Sequence, residues 1–168
     1  MSKKVLVAYA SKHHSTAEIA GVIGEVLRQK NSASVQVQSV DSVLDVTSYD
    51  AIILGSAVYV GQWQAEAGAF LKKYEAELVK RPVWIFSSGP TGKGDPETLL
   101  KGWKFPQKLQ PIVDRIKPRD VALFSGNLDP DKMSFVERGM IKMVKAPTGD
   151  FRDWDAIRNW AASIAKSI

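Results

Sequence analysis

The chain contains no cysteine. That excludes a disulfide frame, a thiolate metal site and a thiol nucleophile, and it suits a reducing compartment. No apolar run approaches the roughly 20 residues that cross a bilayer as a helix. Met1, Ser2, Lys3 and Lys4 lead into a short strand-like run and not into the longer apolar segment of a secretory signal, so a cytoplasmic protein is expected. Gly-Lys-Ser/Thr is missing, which rules out the nucleoside-triphosphate loop, and so is the G-x-G-x-x-G dinucleotide fingerprint. The only histidines are adjacent, His13 and His14. No metal-ligand spacing or carboxylate pair for acid–base work accompanies them. The net charge of +5 suits an anionic partner, but no nucleic-acid module goes with it, and nucleic acid is not expected.

At 168 residues the chain is most simply one domain with a real core. Strand-like runs fall at 4–9, 34–40, 51–54, 83–86 and 121–124. Those at 51–54 and 83–86 are almost continuously apolar, as strands buried on both faces are. Helical periodicity occupies 17–29, 65–79, 106–116 and 154–164, with Asp153 well placed as an N-cap for the last. Strand alternating with helix predicts a doubly wound parallel sheet covered on both faces.

In such a sheet, ligands sit beyond the carboxyl ends of the strands, where the strand order switches. Three segments lie there. The first is residues 11–16, where the apolar run 5–8 gives way to Ser11, Lys12, His13, His14, Ser15 and Thr16 before a helix begins. A strand feeding straight into a helix leaves the first amides of that helix unpaired, and with the helix dipole they form an anion site. The second segment is residues 55–63 and the third residues 87–92, both rich in Gly, Ser or aromatics.

The element order, the hydroxyl-rich first loop ending in Thr16 and a Gly55-Ser56 followed by aromatics resemble flavodoxin over essentially the whole chain. Within that superfamily, Thr16-Ala17-Glu18-Ile19-Ala20, Gly55-Ser56-Ala57-Val58-Tyr59-Val60-Gly61, Met140-Ile141-Lys142-Met143 and Asp153-Trp154 are similar to flavodoxin-like proteins of the menaquinone-dependent protoporphyrinogen oxidase type. The resemblance implies a three-layer α/β/α sandwich with a five-stranded parallel sheet in the order 2-1-3-4-5. It also implies FMN, with the phosphate held by Ser11, Lys12, His13, His14, Ser15 and Thr16. Ser56, Ala57, Val58, Tyr59, Gly61, Ser87, Ser88 and Gly89 would then surround the ribityl chain and the flavin ring. Tyr59 is the favoured stacking residue, since aromatic faces stack on such rings. Trp63 is read equally as a stacking residue or as core. The family's usual glycine falls on His14, a position where the backbone calls for positive φ or close approach to the ligand.

Two features depart from an acidic electron shuttle. Lys93, Lys101, Lys104 and Lys108 follow the third segment, and an extra stretch, 131–147, precedes the last helix. On a helix, Met133, Val136, Met140, Met143 and Val144 form an apolar stripe, with Arg138, Lys142 and Lys145 on the other side. The first expectation is a helix capping the core. The second is a surface for an anionic membrane, an apolar ligand or a partner. The functional expectation is an FMN-dependent oxidoreductase with a porphyrinogen or quinone substrate, which would suit peripheral membrane contact. An FMN carrier shuttling between redox proteins and an interaction module that has lost FMN are the alternatives.

Overall fold

A computed structural model describes residues 2–168. Five long strands are all parallel: β1 (Lys4–Ala10), β2 (Ser34–Ser39), β3 (Ala51–Tyr59), β5 (Val83–Ser88) and β6 (Asp120–Phe124). Their order is β2-β1-β3-β5-β6, with the two-residue β4 (Gln62–Trp63) folded antiparallel onto β3. Counting the long strands alone, this is the expected 2-1-3-4-5 sheet.

Side chains alternate across the sheet with period two. Val5, Val7, Ile53, Trp84 and Phe86 face one layer, where they pack with Ile19, Ile23 and Leu27 of α1 (Ser15–Asn31) and Ile157, Ala161 and Ile164 of α6 (Trp154–Ala165). Leu6, Ala8, Ile52, Leu54, Val83 and Ile85 face the other layer, against α2 (Ala65–Leu78) and α4 (Gln110–Ile116). A fully buried Leu or Ile contributes about 1.5–3 kcal/mol, so two such layers clamp the sheet from both sides. Asp153 does cap α6, accepting from the Ala156 amide at 3.0 Å.

The structure corrects the sequence reading in several places. β3 does not stop at residue 54 but continues through Gly55 and Ser56, which pair with β1 on one side and β5 on the other, and Ala57, which pairs with β5. Small residues look like loop in the sequence. Here they are required, because a Cβ on Gly55 would lie 2.0 Å from Phe86 Cζ. β3 then turns back through Val60 (φ 52°) and Gly61 (φ 69°) into β4, a two-residue hairpin of the type that needs positive φ at both central positions. Likewise β5 runs on through Ser87 and Ser88. Residues 107–109 form a 3₁₀ turn ahead of α4, and a short α3 (Pro96–Leu99) precedes it. A small ribbon pairs β7 (Asn127–Leu128) with β8 (Gly149–Asp150), and between them lies α5 (Phe135–Val144).

α5 is not the core cap that its stripe suggested. None of its residues is buried, and Phe135 is 87% exposed, Val136 70%, Met143 81% and Val144 73%. Only Met133, ahead of the helix, is buried. Among the described residues, no helix is long and apolar enough to cross a membrane.

Candidate functional site

The carboxyl ends of β1, β3 and β5 bring the three expected segments together. The turn after β1 is closed by His14 with φ 65° and ψ −9°, the left-handed region. The histidine therefore adopts the conformation for which glycine is the default, at some steric cost. His14 is the N-cap residue of α1, and its side chain makes no capping bond. The amides of the first turn of α1 accordingly receive no side-chain partner from that residue.

The hydroxyl oxygens of Ser11 and Ser15 are buried and have no hydrogen-bond partner. A buried unsatisfied hydroxyl costs about 1–3 kcal/mol, so two within one turn mark a place built for an acceptor. They line a cavity of about 60 Å³, together with Lys12, His13 and Thr16. Ala57, Val58 and Tyr59 of β3 and Ser88 and Gly89 after β5 form its second wall. Asn127, Leu128 and Met133 complete it.

That space is far too small for a fused ring system, whose sites run to about 300–1,000 Å³. A second cavity of about 510 Å³ adjoins it, sharing Val58 and Gly89. Val60 and Gly61 of the hairpin, Pro90, Leu100, Trp103, Val144 and Ala146 give it a largely apolar wall. Val60 is 74% exposed in a left-handed conformation that β-branched residues avoid.

Of the residues singled out from sequence, Ser11, Lys12, His13, Ser15, Thr16, Ala57, Val58, Tyr59, Ser88 and Gly89 line the small cavity, and Gly61 lines the larger one. His14 contributes backbone geometry and has an exposed side chain. Ser56 and Ser87 line neither cavity. The Ser56 hydroxyl donates to the Ala57 carbonyl at 2.9 Å and accepts from the Gln64 amide at 3.1 Å, which ties the end of β3 to the start of α2. The Ser87 hydroxyl donates to the Lys104 carbonyl and accepts from the Trp63 indole at 2.8 Å. Trp63 is buried in the core, which settles its double reading in favour of packing.

Tyr59 also has a partner that the sequence did not disclose. Its hydroxyl donates to Glu137 Oε2 at 3.0 Å, and His13 Nε2 donates to the same oxygen at 2.8 Å. Lys12 Nζ lies 3.6 Å from Glu137 Oε1 and 4.3 Å from the centre of the Tyr59 ring. Burial works to raise the Glu137 pKa. The His13 and Tyr59 hydrogen bonds and the Lys12 and His13 charges together outweigh it, and hold the carboxyl at about 2. The Tyr59 phenol is pushed up, by burial first and then by the Glu137 bond and charge, so it stays a neutral donor. The sequence carried only half of the Glu137 signal. Ser134-x-x-Glu137 reads as a capping box, and Ser134 does accept from the Glu137 amide at 3.2 Å. Where the carboxylate goes depends on how α5 packs. Trp103, Asn127, Leu128 and Met133 come from segments whose routes over the site no local pattern specifies.

With this geometry in view, the family described as Flavodoxin domain matches residues 6–155 of the chain. A protoporphyrinogen IX dehydrogenase [quinone] from Leishmania major is 23% identical over 175 residues, spanning 98% of this chain and 75% of its own. Among solved structures, a flavodoxin from the domain Archaea superposes with a TM-score of 0.60 at 16% identity, covering 98% of this chain and 97% of its own. Flavodoxin 2 from Bacillus cereus does so with a TM-score of 0.60 at 20% identity, covering 98% and 99%.

Proposed function

The chain belongs to the flavodoxin domain family, and from that premise we propose that it binds FMN and works as an oxidoreductase of the protoporphyrinogen-oxidising type, delivering electrons to a quinone. The pair of buried, unpartnered hydroxyls on Ser11 and Ser15, beside an uncapped helix start, carries the cofactor reading. A phosphate monoester dianion needs several short bonds from hydroxyls and amides, and this turn offers them without a committed internal acceptor. The small cavity suits the phosphate, and the adjoining apolar one suits a flat ring.

When bound, the flavin supplies one- and two-electron exchange, while the protein supplies binding, orientation and electrostatics. Ser11, Ser15, Thr16 and the first amides of α1 hold the phosphate. Lys12 adds positive charge, partly offset by Glu137. Val58, Val60, Pro90, Leu100 and Trp103 exclude water from the ring. The Glu137 carboxylate accepts from the Tyr59 hydroxyl and His13 Nε2 and so fixes both side chains at the edge of the small cavity.

Three observations favour an apolar redox substrate over an electron-shuttle role. The chain is basic, the outward face of α5 is apolar, and the relative from Leishmania major is named for protoporphyrinogen and quinone. The outward face of α5, with Phe135, Val136, Met140 and Met143 flanked by Arg138, Lys142 and Lys145, would rest on an anionic membrane from the cytoplasmic side, where quinone is dissolved. A second reading, a free electron carrier, is favoured by the end-to-end coverage of single-domain flavodoxins.

Purified protein with a flavin absorption spectrum, oxidising protoporphyrinogen with a menaquinone analogue as acceptor, is the expected result. Flavin binding without turnover at any quinone concentration, accompanied by a stabilised blue semiquinone, would shift the reading to the carrier. Colourless protein that FMN cannot reconstitute would leave a flavodoxin-like interaction module.

A further inference from the structure

We infer that Arg152 is a positioning residue for phosphate recognition, holding the turn at residues 11–16 from behind so that its hydroxyls and amides aim at the anion. The inference rests on the FMN reading above. Arg152 lies two residues beyond Asp150, the last residue of β8, and its side chain is only 6% exposed. Its Nη1 donates to the Ser15 carbonyl at 3.3 Å and lies 3.3 Å from Glu18 Oε2. Ser15 is one of the two residues whose hydroxyl has no partner. The guanidinium therefore grips the backbone of the very residue whose side chain faces the cavity.

The grip is anchored at its other end. Nε and Nη2 donate to the two oxygens of Asp150 at 2.9 and 2.7 Å, and the guanidinium lies 4.6 Å from the centre of the Trp154 ring. Only a planar fork reaches a carbonyl and both oxygens of a carboxylate at once, and a lysine ammonium cannot. Asp150 is itself in β8, whose partner β7 supplies Asn127 and Leu128 to the cavity wall. Arg152 thus ties the turn to the ribbon that forms the opposite wall. With its donors committed to Asp150, Glu18 and Ser15, it acts on the anion through the turn. From the front, Glu137 holds Lys12 and His13; from the back, Arg152 holds Ser15 and Glu18, next to the left-handed bend at His14.

FMN and riboflavin differ only by the phosphate, so comparing them isolates this role. Titration of Arg152→Gln and Arg152→Lys by flavin fluorescence should show FMN binding weakened about tenfold or more. Riboflavin binding should stay within about twofold, and the ³¹P resonance of bound FMN should shift. Asp150→Asn leaves the arginine in place but frees the fork, so it should show the same FMN-selective loss, smaller in size. It keeps the test alive if Arg152→Gln folds poorly. Equal losses for both flavins, or wild-type FMN affinity in both Arg152→Lys and Asp150→Asn, would overturn the inference. Wild-type protein with no preference for FMN over riboflavin would instead overturn the phosphate reading on which it rests.

Discussion

α1 and α5 are both amphipathic helices with a clear apolar stripe, and they meet opposite fates. α1 buries Ile19, Ile23 and Leu27 completely against the sheet. α5 half-buries Glu137 and Ile141, one turn apart, sets Val144 at the rim of the larger cavity and leaves Phe135, Val136 and Met143 in solvent. Periodicity reports that a helix has two faces, and it is silent on what covers the apolar one. For α1 the cover is the sheet from which it emerges. For α5 no element of the fold is left, because both sheet faces are already occupied by α1, α6, α2 and α4. An uncovered apolar face of this kind marks an interaction surface.

The contrast can be tested most forcefully in the buried helix. Ile23→Ala should destabilise the fold by about 2–5 kcal/mol, through lost burial and the cavity left behind, as read by urea unfolding. The start of the same helix should behave in the opposite way. Ser11→Ala with Ser15→Ala removes two unsatisfied groups, so the flavin-free protein should be no less stable than wild type. FMN affinity should nevertheless fall by about 3 kcal/mol, since bonds to a charged group contribute about 1.5–3 kcal/mol each. Calorimetric titration checks this, and unchanged affinity would move the phosphate elsewhere.

α5 should respond to pH through Glu137. Glu137 has a folded pKa of about 2, depressed from 4.5. A depressed carboxyl contributes its stability above the unfolded value and loses it as pH falls from about 4.5 toward 2. Limited proteolysis within 131–147 should therefore accelerate over that window, and Glu137→Gln should remove the dependence. The smallest effect belongs to the exposed face. Phe135→Ser with Met143→Ser should change stability by less than about 0.5 kcal/mol, while reducing sedimentation with anionic lipid vesicles. A large loss of stability there would mean that α5 is covered after all.

Much of the site was legible in residues 11–16, because a strand ending at hydroxyls and restarting as a helix is a local pattern with a local consequence. His14 was legible as a departure, and the left-handed region that Asn, Asp and His can enter explains how it is accommodated. Ser56 and Ser87 were expected to bring backbone groups to the flavin, but they line neither cavity, and their hydroxyls accept from the Gln64 amide and the Trp63 indole. A serine hydroxyl does not announce which partner it has. Glu137 and Arg152 were out of reach for another reason. Each meets its partner across more than a hundred residues of chain, His13 in one case and Ser15 in the other.

Periodicity, turn chemistry and short-range geometry thus specify the long elements, the parallel sheet and the hydroxyl-lined turn at residues 11–16, because each is a local property of the chain. Long-range packing sets which hydroxyls stay unpartnered, that Trp63 is core, where the carboxylate of Glu137 and the guanidinium of Arg152 go, and that the stripe of α5 faces outward. Those outcomes depend on which segments meet once two helical layers have claimed the faces of the sheet, and burial and pairing are properties of that meeting.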